Sequence, residues 1–154
     1  MIYISHRGNI KGPNPDRENH PDYLKEAIKK GYQVELDVWF KDKKFYLGHD
    51  KPQYEINKSF LSNNKFWCHA KNMEAISELT SQGNLIHCFF HDTDACTLTS
   101  RGWIWTYPGS PLLSKKAVAV MPERVYSRSE EHMLLVAGGL CSDYVEDYQK
   151  SLKL

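Results

Sequence analysis

Glu35 and Asp37 stand two residues apart in a run rich in β-branched and aromatic residues, 34–40, that reads as a strand. That spacing puts both carboxylates on one face, opposite Val34, Leu36 and Val38, which suit packing against helices. Two acids sharing an interior face repel and lose hydration, a cost relieved by protonation, by cationic partners or by a metal ion. Other chemistry-bearing residues fall at the ends of strand-like stretches in the same way. His6-Arg7 closes the first, His49-Asp50 follows Phe45-Tyr46-Leu47-Gly48, and His69 and Lys71 form a further same-face pair. His91-Asp92, the pair Trp105 and Tyr107, and Ser142-Asp143 continue the series. Imidazoles exchange protons near neutral pH, while Arg and Lys neutralise anions, so the set points to one polar pocket acting on an anionic group.

These side chains must be held by strands whose ends meet. Strand-like stretches at 3–5, 34–40, 45–47, 66–70, 85–90, 103–106, 117–120 and 140–144 alternate with helical ones. A helix starts at Pro21, carries Leu24, Ala27 and Ile28 on one face, and stops before Gly31. A second is capped by Asn72, has the stripe Ala75, Ile76 and Leu79, and ends before Gly83. A short third spans about 130–137. The pattern predicts an α/β fold, a compact (β/α) barrel with several helices shortened or missing, because a full eight-fold barrel usually needs at least ~200 residues. An open doubly wound sheet is the rival architecture.

The chain has 154 residues, 41% of them hydrophobic, enough to bury one core, so a single domain over 1–154 is expected. Twenty basic residues balance nineteen acidic ones, which disfavours a polyanionic nucleic-acid partner and leaves a small anion. No leader-like or membrane-spanning run occurs, and four well-separated cysteines without CxxC spacing read as free thiols, so a cytoplasmic protein is expected. Sequences of the GxxxxGK[ST], HExxH and GxSxG types are missing. Considered singly, His20, His87 and His132 read as structural histidines, His91 stands between roles, and Lys71 doubles as a counter-ion for the acid pair.

His6-Arg7-Gly8, Glu18-Asn19, Glu35-x-Asp37 and Gly48-His49-Asp50, in that order and at these spacings, resemble the motifs of the glycerophosphodiester phosphodiesterase family, within the wider superfamily of phosphatidylinositol phospholipase C-like phosphodiesterases. Beyond Lys71 the likeness is weaker. The resemblance implies a TIM-like barrel, His6 and His49 as the catalytic acid and base, and Arg7 and Lys71 on the phosphate. It also implies Glu35 and Asp37 as ligands of one divalent ion, Mg²⁺ or Ca²⁺. Where most such enzymes carry an acidic third ligand, this chain has His69, which shifts the choice toward Mn²⁺ or Zn²⁺. Glu18 is expected to orient Arg7 at the substrate, and Trp105 to pack at or against it.

The expected activity is therefore metal-dependent hydrolysis of a glycerophosphodiester or a related small headgroup, without stable membrane insertion. The alternatives are a non-catalytic anion-binding barrel derived from that family, and a zinc hydrolase of another bond in which His69 and His91 join the carboxylates.

Overall fold

Apolar residues alternate along the strands so that two cores form, one on each face of a single curled sheet. The computed structural model describes residues 1–81 and 83–152, so Gln82, Lys153 and Leu154 of the expected domain span lie outside the described residues. Ten strands make the sheet: β1 (Ile2–His6), β2 (Gln33–Lys41), β3 (Lys44–Leu47), β4 (Tyr54–Ile56), β5 (Phe66–Ala70), β6 (Cys88–Phe90), β7 (Cys96–Leu98), β8 (Ile104–Thr106), β9 (Ala117–Val120) and β10 (Gly139–Ser142). The α-helices are α1 (Pro21–Lys29), α2 (Lys58–Leu61), α3 (Met73–Thr80) and α4 (Val145–Ser151).

Strands β6, β5, β2, β1, β10, β9 and β8 run parallel in that order, whereas the β2–β3–β4 meander and the β7–β8 pair are antiparallel. The expected (β/α) barrel is therefore corrected to a curled mixed sheet, a half-barrel. A TIM-type barrel needs a helix after each strand, and helix of every kind makes up only 28% of this chain. The chain between β6 and β8 is an antiparallel strand, and no helix stands between β8 and β9. The third expected helix is a 3-10 segment, Arg128–Val136, with a Ser127/Glu130 capping box.

The convex face carries Val34, Leu36, Val38, Cys68, Ala70 and Cys88, packed under Leu24 and Ala27 of α1 and Ala75 and Leu79 of α3. Pro21 opens α1, and the Asn72 side chain accepts from the Ala75 N–H to cap α3. The concave face is layered. Its floor holds Ile4, Trp67, Phe89, Trp105, Val118 and Cys141. Two residues further along the same strands come His6, His69, His91, Tyr107, Val120 and Asp143, so period-2 alternation lifts each strand from an apolar floor to a mostly polar rim. Among the described residues, no helix is long and apolar enough to cross a membrane.

Candidate active site

The rim encloses a cavity of ≈ 470 Å³ whose walls include His6, Arg7, Glu35, His49, His69 and Lys71. Strand β2 is its centre. The Arg7 N–H donates to the Glu35 carbonyl (2.9 Å) where β1 ends. The Asp37 N–H is then taken by the Asn19 side-chain oxygen (2.9 Å), and the Gly48 N–H donates to the Asp37 carbonyl (3.2 Å). The edge of β2 thus passes from β1 to one asparagine to the β3 hairpin, which delivers His49 beside the cavity. Gly48 permits this turn: its φ is 147°, and a Cβ there would strike the Lys51 carbonyl. Its own carbonyl accepts from Trp39 Nε1 (2.7 Å).

Asp37 is fully buried. Its Oδ2 receives Asn19 Nδ2 (2.9 Å) and faces Arg7 Nε at 2.8 Å, while Oδ1 lies 3.4 Å from His69 Nδ1 and 3.6 Å from Lys71 Nζ. Burial works against the Asp37 carboxylate, but His69, Arg7 and Lys71 outweigh it and hold the group well below the usual carboxylate range. Glu35 Oε1 stands 3.5 Å from His69 Nδ1 and its Oε2 3.9 Å from His6 Nε2. Glu35 Oε2 and Asp37 Oδ1 are buried without a hydrogen-bond partner.

His69 Nε2 sits 2.9 Å from the His91 carbonyl, which only accepts, so Nε2 carries a proton and Nδ1 turns to the two acids. Its ring stacks on Phe89 at 5.0 Å. Burial opposes its charge, yet Asp37 and Glu35 prevail and push its pKa up to about 9. Without a metal it is an imidazolium between carboxylates. With Nδ1 deprotonated, Glu35, Asp37 and His69 offer three ligand atoms within 4.8 Å of one another, and the orphaned oxygens fit a cation at that point.

His6 Nδ1 donates to Asp143 Oδ1 (2.7 Å), leaving Nε2 on the cavity side near Glu35. Burial acts to lower the His6 pKa, but the Asp143 bond and the Glu35 charge raise it overall. Asp143 is braced by Asn9 Nδ2 (2.8 Å), which also donates to Glu18 (2.8 Å). Glu18 accepts from Arg7 as well (3.2 Å), so it supports the arginine and is not itself part of the cavity wall. Arg7 and Asn19 take left-handed backbone conformations (φ 53° and 62°), strain of about 1–3 kcal/mol each that is characteristic of functional turns. His49 is 43% exposed and donates Nδ1 to Asp50 (2.6 Å). Trp105, almost fully buried against Phe89, forms part of the cavity floor.

All the expected site residues therefore meet at one cavity or directly behind it. Asn9, Asn19 and Asp143 are the supports to which the sequence assigned no role, although Asn19 stood within a noted motif and Asp143 at a noted strand end. His91 lines the wall with both ring nitrogens buried and unpartnered and is not a member of the three-ligand group, and Arg124 lines the cavity as well. His20 caps α1, His132 Nδ1 donates to the Ser129 carbonyl, and His87 lies under Trp67, so these three are structural. No family model, no curated protein and no solved structure matches the chain.

Proposed function

We propose that the protein is a metal-dependent phosphodiester hydrolase acting on a glycerophosphodiester or a related small headgroup. One observation carries the reading: a buried two-carboxylate, one-imidazole group with two orphaned oxygens opens on the same cavity as two further histidines, an arginine and a lysine. The likeness of the His6-Arg7-Gly8, Glu35-x-Asp37 and Gly48-His49-Asp50 motifs to glycerophosphodiester phosphodiesterases supports the substrate class. Free thiols at Cys68, Cys88, Cys96 and Cys141 suit a reducing compartment, and we place the reaction in the cytoplasm.

Glu35, Asp37 and His69 would hold the divalent ion, and the imidazole favours Mn²⁺ or Zn²⁺ over Ca²⁺. When bound, the ion supplies positive charge to a non-bridging phosphoryl oxygen. Lys71 and Arg7 add fixed charge on the same side and stabilise the negative charge that grows as the oxygen nucleophile attacks phosphorus. His6, held by Asp143, and His49, held by Asp50, both leave Nε2 free. One accepts the proton of the nucleophile, the P–O bond to the alcohol breaks, and the other protonates the departing alkoxide. Each transfer contributes roughly 10²- to 10⁴-fold.

The test is turnover of bis(p-nitrophenyl) phosphate and of glycerophosphodiesters by protein loaded with Mn²⁺ or Zn²⁺. Activity abolished by EDTA, and reduced by roughly 10²-fold or more in both His6→Ala and His49→Ala, is expected. Absence of turnover over a broad phosphodiester panel with every metal would overturn the reading.

A further inference from the structure

Asn9 reaches both sides of the proposed centre through one amide. Its side chain is fully buried, and its two donors and two lone pairs are all used. Nδ2 donates one N–H to Glu18 Oε1 (2.8 Å) and the other to Asp143 Oδ1 (2.8 Å), while Oδ1 accepts from the Asn14 N–H (3.1 Å) and the Tyr23 hydroxyl (3.3 Å). The Asn14 N–H can only donate, so the amide has one orientation, with its nitrogen toward the two acids. Each acid in turn holds a residue of the cavity wall. Glu18 Oε2 accepts from Arg7 (3.2 Å), and Asp143 Oδ1 from His6 Nδ1 (2.7 Å).

The chain folds back to make this possible. The Asn9 N–H donates to the His6 carbonyl (2.8 Å), closing a four-residue turn in which Arg7 and Gly8 have φ of 53° and 96°. A Cβ at Gly8 would strike the ring of Tyr23, whose hydroxyl is one of the Asn9 partners. The amide that follows His6-Arg7 therefore lies between the acid partners of that pair, one 9 and the other 134 positions further along. An aspartate here would keep the shape without a donor and bring three carboxylates together, and an aliphatic residue would leave both acids short of a hydrogen bond.

We infer that Asn9 is a positioning residue that sets His6 and Arg7 as a pair, so that loosening the support of either one loosens the other. An imidazole that moves a proton and a guanidinium that meets growing negative charge must serve one phosphoryl group, and a shared support fixes their separation. What the pair does rests on the hydrolase reading. Their coupling through Asn9 does not, and it is measurable without turnover.

The test is solvent exchange of the His6 ring N–H and the Arg7 guanidinium N–H signals, followed by ¹⁵N NMR of the full chain in EDTA at a single pH. Glu18→Gln acts on Arg7 directly and on His6 through Asn9, and Asp143→Asn does the reverse. Each is expected to speed exchange about tenfold or more at the remote member as well as at the near one, the loss of a hydrogen bond to a charged group. In an Asn9→Ser background, with one donor for two acids, the remote response should vanish while the near one stays. Exchange that changes at the near member alone, or an undiminished remote response in the Asn9→Ser background, would overturn the inference. Should Asn9→Ser lose native dispersion, the two partner variants in the parent chain decide. In turnover of bis(p-nitrophenyl) phosphate, Asn9→Ser should lower kcat and raise KM, each severalfold. A change in KM alone would confine the amide to Arg7 and overturn the pairing, whereas coupled exchange in a parent without turnover would overturn the hydrolase reading alone.

Discussion

His69 lies between two carboxylates that it can satisfy in only two ways, by carrying a proton on Nδ1 or by sharing a cation with them. With its pKa raised to about 9, the metal-free protein holds that proton at neutral pH, and a metal must displace it. The apparent affinity for Mn²⁺ should therefore weaken about tenfold for each unit the pH falls below 9, one proton being exchanged per ion. Calorimetry in buffers of different ionisation enthalpy between pH 6.5 and 8.5 measures it, and pH-independent binding would remove His69 from the ligand set. Asp143 acts on His6 in a related way. Its carboxylate helps raise the His6 pKa, so Asp143→Asn should move the His6 limb of the pH–rate profile to lower pH, whichever proton transfer His6 performs. His6 and Asp143 are 137 positions apart, and no local spacing announces such a pair. The acids of β2 were legible for the opposite reason, because a separation of two fixes a shared face without knowledge of the partner strands.

At the level of elements, β2 with its alternating acids and the apolar runs of β1, β5 and β9 were readable, as were α1 and α3 with their Pro, Asn and Gly punctuation. Short pieces were not. Strands β4 and β7 span three residues each, α2 four, and α4 lies in a polar stretch whose burial rests on Val145 and Tyr148 alone. Alternation of strand and helix was extended over the second half from the first, yet the chain between β6 and β9 carries no amphipathic period, and β7 simply pairs back on β8. The β3 hairpin depends on one conformation at Gly48. Gly48→Ala should lower kcat by displacing His49 while the far-UV spectrum and unfolding cooperativity persist; unchanged kcat would show that the turn does not position the imidazole. His87, between β6 and the 3-10 turn before it, is buried under Trp67 and bonded to Thr99 Oγ1 (2.8 Å). Burial, then the Arg101 charge, lowers its pKa to about 4. The unfolded chain binds this proton below about pH 6.5 and the folded chain only near pH 4, so stability present above 6.5 is lost as pH falls between them, by about 2–3 kcal/mol. Urea midpoints at pH 7 and 4.5 should fall less in His87→Gln than in the parent protein.

For the molecule as a whole, two orphaned carboxylate oxygens in the interior are a cost of the metal-free state. Glu35→Gln removes a charge that helps hold the His69 imidazolium, so it should be less stable than the parent in EDTA at neutral pH and should lose the rise in Tm that Mn²⁺ gives the parent, a rise expected from mass action on the folded state. Differential scanning calorimetry with and without metal checks both, and an equal metal-induced shift in the variant would argue that the ion binds elsewhere. The concave face can afford such groups because the floor beneath them is dense: Ile4, Trp67, Phe89, Trp105, Val118 and Cys141 are nearly water-free. Truncating Trp67 to Ala would cost about 3–5 kcal/mol by the usual core penalty.

Strand β2 is hydrogen-bonded to three others, β1, β3 and β5, and Glu35 and Asp37 sit within the paired stretch. Shifting that strand by a single position would send both acids to the side where α1 and α3 now lie and drag Leu36 and Val38 into the cavity. Gain or loss of the acid pair through a shift of this strand is thus all or none, and a chain that has docked β2 in its native register has already built the acid pair of the proposed metal site.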